Sequence, residues 1–196
     1  MTTITPDEMK SLETLFMSET GTPSILLMEH AAQGVAAAIS RHAPKSAHVL
    51  FLCGPGSNGG DGYAAARLWC LGGGQADVWE VTSAVRGDAL TNRTLALLHG
   101  VRVLPSVDAV DVAEYAAVVD ALYGTGLNHA IEGDAAILIH RLSDHPQIPV
   151  IAVDIPSGLD GTTGRALGAD VVRAAETVTF HPVSYTHLTL PTTSRV

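Results

Sequence analysis

Three short segments of this chain concentrate glycine and side-chain oxygens, and each follows a run of apolar residues. The first is Gly54-Pro55-Gly56-Ser57-Asn58-Gly59-Gly60-Asp61-Gly62. Gly54, Gly56 and Gly59 have the GxGxxG spacing, in which glycines let a backbone approach a pyrophosphate and the next helix N-terminus favours its charge. Alone, that spacing is a weak signal. Asn58 and Asp61 add side-chain oxygens that a dehydrogenase loop does not need, and these suit a cation or a ribose. The second segment is Asp120-Ala121-Leu122-Tyr123-Gly124-Thr125-Gly126. A carboxylate ending an apolar strand must be paired or hydrogen-bonded. Partial burial would raise the pKa of Asp120 and suit it to proton transfer; the other reading is a carboxylate that ties down the turn at 124–126. The third segment is Asp154-Ile155-Pro156-Ser157-Gly158-Leu159-Asp160. There Asp154 could accept from a ribose hydroxyl and Ser157 could offer its hydroxyl to a metal ion, unless the segment is a plain capping turn.

The elements between these segments must bring them together. Thr5-Pro6-Asp7-Glu8 reads as a helix start, with a capping Thr, Pro at the first position and acids on the dipole's positive end; the helix should run to about Glu19. Ser24 is expected to cap a second helix, with Ile25, Leu26, Met28, Ala32 and Val35 along one face. Residues 47–53 (AHVLFLC) form an apolar run that suits a strand buried on both faces. A glycine loop at 54–61 and a helix at 63–71 follow. Further strands are expected at 76–81, 101–104, 117–122, 149–155 and 176–180, with helices at 92–99 and 135–142. Strands alternating with helices predict an α/β fold: a three-layer, Rossmann-like, mainly parallel sheet with helices on both faces. Ligands of such sheets bind beyond the carboxyl ends of the strands, so the topology should gather all three segments on one rim.

Composition narrows the function. The chain has 196 residues, 46% of them hydrophobic and 16% charged, which is ample for one packed domain. The net charge is −9 and the eleven basic residues are scattered, which argues against nucleic acid as a partner. No apolar run approaches the ~18 residues needed to span a bilayer, and the opening segment lacks the features of a signal or transit peptide, so cytoplasmic residence is expected. Cys53 and Cys70 have no second pair to complete a zinc site and read as structural thiols. Residues 183–196 (VSYTHLTLPTTSRV) have no periodic face. Their first six residues resemble the translation of a transposon adapter used in short-read library construction. The domain is therefore expected to span 1–182, with the natural protein diverging after Pro182.

The segments GPGSNGGDG, DALYGTGLN and DIPSGLDGTTG, in that order, together with LMEHAA at 27–32, are similar to those of NAD(P)H-hydrate epimerases. The resemblance covers roughly residues 5–182. It implies a Rossmann-like fold, often dimeric, and interconversion of the two C6 epimers of hydrated NADH or NADPH (NADHX, NADPHX). It also implies a partner dehydratase, ADP- or ATP-dependent, that consumes the S form and in many bacteria is fused to this domain. By motif, Ser57, Asn58, Gly59, Gly60, Asp61, Gly124, Thr125, Gly126, Leu127, Asn128, His129, Ala130 and Asp154 would contact the dinucleotide. Asn58, Asp120 and Ser157 would hold a potassium ion, with Asp120 also a candidate for proton transfer. Ser57 stands where the family usually has Asn, and His30 where Asn is common.

Two other readings stay open. An NAD(P)-dependent oxidoreductase would use the glycine segment with Glu80 on the ribose. A non-catalytic dinucleotide- or protein-binding module would keep the site without turnover.

Overall fold

The computed structural model describes residues 5–179. The expected tail at 183–196, the boundary at Pro182 and the end of the last expected strand at Phe180 lie outside them.

Strands β1 (His48–Cys53), β2 (Gln75–Glu80), β3 (Arg102–Val103), β4 (Ala117–Ala121), β5 (Val150–Val153) and β6 (Glu176–Val178) form one sheet in the order β3-β2-β1-β4-β5-β6. Every pairing is parallel. The helices are α1 (Pro6–Thr20), α2 (Ser24–His42), α3 (Ser57–Leu71), α4 (Gly87–Leu98) and α5 (Gly133–Asp144). Two 3₁₀ turns, Val107–Ala109 and Val112–Glu114, lead into β4.

The apolar run of β1 divides by its period of two. Val49, Phe51 and Cys53 join a core cluster with Val35 and Ile39 of α2, Tyr63 and Trp69 of α3, and Ala89 of α4. Leu50 and Leu52 face the other way, toward Leu138, Ile139 and Leu142 of α5 and Val107 and Val112 of the 3₁₀ turns. Helices thus cover both faces, which confirms the three-layer reading. At the sheet's other end a buried Asp77 accepts from Arg102 and from the Tyr115 hydroxyl at 2.8 Å. That polar cluster lies at the opening half of the strands, away from the three segments, and serves the sheet.

Two local expectations need correction. Ser24 is not a side-chain cap of α2: Pro23 is the cap residue, and the Ser24 hydroxyl donates to Asp88 of α4. The glycine segment is a loop only as far as Gly56, because α3 begins at Ser57. Glycine is a poor helix former, but here tertiary packing decides. A Cβ on Gly59 would overlap the Gly54 carbonyl, and one on Gly60 would meet Met28 of α2 at 2.6 Å. The glycines let α3 lie directly on β1 and α2.

Candidate active site

Strand order reverses between β1 and β4, whose successive connections run to opposite sides of the sheet. Such a switch point opens a crevice at the carboxyl ends of the two strands. The three segments leave β1, β4 and β5, all at this rim. Gly54 N donates to Ala121 O at 2.9 Å, so the first two segments are stitched together as they leave the sheet.

Asp120 is fully buried rather than partly so. Its strand lies between β1 and β5, and its register partners are Leu52 and Ala152. One carboxylate oxygen, Oδ1, accepts from Ser157 Oγ at 2.6 Å and Leu122 N at 3.3 Å; Oδ2 accepts from Ser157 N at 2.8 Å. Burial pushes its pKa up, and the bonds from Ser157 and Leu122 pull it back, leaving it at about 6. Ser157, also buried, accepts from Tyr123 N at 3.0 Å, so β5's end is locked to β4's.

Asp154 has φ 69°, the single positive φ of a non-glycine among the described residues. Strain of this kind clusters where a side chain must be aimed. Its Oδ2 accepts from Thr125 N at 2.8 Å. A Cβ on Gly124 would overlap that carboxylate and stand 3.5 Å from Asn58 Cγ. Asn58, Gly124 and Asp154 therefore meet at one point. The amide of Asn58 is buried there, and neither its oxygen nor its nitrogen has a hydrogen-bond partner among the described residues. Native proteins seldom leave both ends of a buried amide unused unless a ligand or ion completes them.

Asp61 lies one helical turn beyond Asn58 and is half-buried. Burial, then the charges of Asp154 and of Glu13 on α1, push its carboxyl up to about 8. Glu13 is a component that sequence reasoning missed. An acid inside a solvated amphipathic helix gives no sign of facing a site. A cleft of about 360 Å³ opens beside the start of α3, lined by Pro55, Gly56 and Ser57, by Met28, and by the α4 start at Arg86 to Ala89. Arg86 was also unforeseen, and Met28, expected on the packed face of α2 and within the LMEHAA segment, reaches the rim beside it.

The remaining expected residues divide. Around Gly56 there is open space, so it is the glycine of the three whose backbone a ligand can reach. Gly54 and Gly59 serve internal packing: a Cβ on Gly54 would overlap the Leu122 carbonyl. Ser57 is exposed at the first turn of α3, whose cap residue, Gly56, makes no side-chain cap. Its leading amides are thus available to an anion. The Leu127 side chain is buried with Leu122 and Ile131, so it faces the core. Gly126, Asn128 and His129 are exposed, and His129 Nδ1 stays 2.9 Å from Ala130 O.

Glu80 does not wait for a ribose. Arg93 holds both its oxygens, at 2.7 and 2.8 Å, and the Tyr63 hydroxyl donates at 2.7 Å. The acid that an oxidoreductase would need at β2's end is consumed inside the protein. Cys53 is buried and Cys70 half-buried, both as free thiols. No three His, Cys, Asp or Glu side chains among the described residues are grouped to hold a metal ion. No helix among them is long and apolar enough to cross a membrane.

Fold and site together define a doubly wound α/β protein whose switch-point crevice gathers side-chain oxygens, while the acid at the end of β2 is already paired. The chain belongs to the family described as YjeF-related protein N-terminus, which matches residues 24–184. It is 35% identical over 179 residues to the NAD(P)H-hydrate epimerase of Leuconostoc mesenteroides, covering 90% of this chain and 79% of that protein. It is 38% identical over 166 residues to the bifunctional NAD(P)H-hydrate repair enzyme Nnr of Thermanaerovibrio acidaminovorans, covering 82% of this chain but 32% of that longer protein. The crystal structure of the yeast protein ynu0 (YNL200c) superposes with a TM-score of 0.79 over 90% of this chain and 79% of that one, at 23% identity, and shows the same fold.

Proposed function

We propose that this chain is an isomerase that interconverts the R and S forms of hydrated NADH and NADPH, as a step in the repair of damaged nicotinamide dinucleotides. The observation that carries the reading is the partnerless buried amide of Asn58, set against Gly124 and Asp154 at the switch point. The epimerases among its relatives support it. The dinucleotide lies across the crevice. Its phosphates meet Gly56 and the leading α3 amides at Ser57 and Asn58, while Gly59 and Gly60 let that turn pack closely, the Gly60 amide being given to Gly56 O at 3.1 Å. The loop of Gly124, Thr125, Gly126, Leu127, Asn128, His129 and Ala130 runs along it, Leu127 contributing backbone. Asp154 accepts from a hydroxyl, and Asp61 faces the hydrated ring.

The chemistry starts from the C6 hydroxyl, which sits beside the ring nitrogen. An acid protonates the hydroxyl oxygen, the C6–O bond breaks to release water, and the nitrogen lone pair forms a C=N bond. The planar iminium accepts water on either face, which yields both epimers.

A potassium ion fits the donor set. The Asn58 amide oxygen, the Asp120 carboxylate and the Ser157 hydroxyl are hard oxygens, and Asn58 is otherwise unused. Bound there, the ion would offset the Asp120 charge and pin the segments after β1, β4 and β5 together. The complete burial of Asp120, with both oxygens engaged, suits this holding role better than delivery of a proton to substrate.

The bifunctional relatives support a dehydratase as functional partner, acting on the S form. We also assign a second copy of the chain as partner, which light scattering in solution tests, and cytoplasmic residence, where this substrate arises. The functional test is purified R-NADHX followed by chromatography in ¹⁸O water. Conversion to the S form with solvent oxygen at C6 is expected. A rate equal to the protein-free blank overturns the reading, and conversion without label overturns the iminium route.

A further inference from the structure

We infer that Asp61 is the acid that protonates the departing C6 hydroxyl, with Asp154 and Glu13 as the flanking carboxylates that hold its proton in place. The inference rests on the epimerase reading of the site.

Three observations converge on Asp61. It is half-buried and within electrostatic reach of Asp154 at the crevice, whereas Asp120 is wholly enclosed. It follows Asn58 by three residues on α3, a spacing that puts both side chains on one helix face. No side-chain or backbone donor among the described residues gives it a hydrogen bond, while Asp154 accepts from Thr125 N and Asp120 from Ser157. A carboxyl that accepts no hydrogen bond and has two carboxylates nearby is pushed toward its protonated form.

Asp154 comes from the end of β5 and Glu13 from α1. On the packed helices, Glu29 of α2 is paired with Arg67, Asp88 of α4 takes the Ser24 hydroxyl, and Glu80 is held by Arg93. None of the cations in those pairs is among the charges that act on Asp61, and its carboxyl stays protonated up to a pH of about 8.

The step balances. The Asp61 proton moves to the C6 oxygen, the C6–O electron pair leaves with it as water, and the ring nitrogen lone pair makes the C=N bond. The cationic ring then lies beside two carboxylates, Asp61 and Asp154, which stabilise it electrostatically. Water adding to C6 loses a proton to solvent, and Asp61 regains one from solvent.

The test measures R-to-S conversion against pH for the wild type, Asp61→Asn and Glu13→Gln, with NADP affinity and thermal melting as controls. A raised carboxyl acts as an acid until pH passes its pKa. Wild-type kcat/KM is therefore level below pH 8 and falls above it, about tenfold per unit. Glu13→Gln moves that fall to lower pH, because one repelling charge is gone. Asp61→Asn loses at least about 100-fold in kcat while its NADP affinity changes little. Retention of a third or more of kcat in a folded Asp61→Asn protein overturns the assignment. So does an alkaline limb that Glu13→Gln leaves in place, a readout that does not need the Asn variant to fold. A wild type inactive at every pH overturns the epimerase reading itself, and the acid assignment with it.

Discussion

Asn58→Leu should make the protein more stable and destroy its function. The amide oxygen and nitrogen are buried without a hydrogen-bond partner, and the substitution keeps nearly the same shape. Leaving a buried polar group unsatisfied costs about 1–3 kcal/mol, and an apolar isostere removes that cost. For a domain of this size about 1 kcal/mol moves the melting temperature by roughly 2–4 °C, so a rise of about 2–12 °C is expected in choline chloride. The assay is calorimetry in choline chloride and again in potassium chloride. An ion that binds only the native state raises the wild-type melting temperature with its concentration. The Leu variant should show no potassium effect and no epimerisation. If Asn58→Leu melts below the wild type in choline chloride, the amide already has a partner, and the reasoning that reserves it for a ligand is refuted.

Other perturbations probe the surrounding structure. Ser157→Ala removes a donor to Asp120 and leaves Tyr123 N without its acceptor, so it should cost about 2–4 kcal/mol in urea titration. Glu80→Ala breaks a nearly buried pair with Arg93 and should cost about 3–5 kcal/mol, while KM for NADHX stays within about twofold. A large rise in KM would return Glu80 to the ribose. Asp61→Asn should change stability with pH. The folded pKa of Asp61 lies above its ordinary 3.8, so the stability lent by the bound proton is full below about pH 4 and is lost as pH rises through about 8. The Asn variant should thus melt above the wild type at pH 9 and gain nothing at pH 4; equal differences at both would contradict the titration.

The sheet was legible because its strands are buried on both faces. The run at 47–53 admits few other readings, and glycine marks its end. The rim was legible because parallel topology sends every strand end the same way. The start of α3 was not, since Gly59 and Gly60 oppose a helix locally and are placed there by contacts with Gly54 and Met28. The full burial of Asp120 was within reach: a residue on a central strand between two others has no solvent face. Glu13 and Arg86 were out of reach. Their roles come from where α1 and α4 pack, and Arg86 precedes the helix expected at 92–99. The pairing of Glu80 with Arg93 shows the same limit, because the two lie on separate elements.

The central claim is tested most directly by adding the protein to R-NADHX together with a dehydratase specific for the S form. The account predicts that the R pool drains at a rate set by the added chain, and that Asn58→Leu abolishes the effect while remaining folded. An R pool that drains no faster with the folded wild type than without it would contradict the account and leave a binding module in its place.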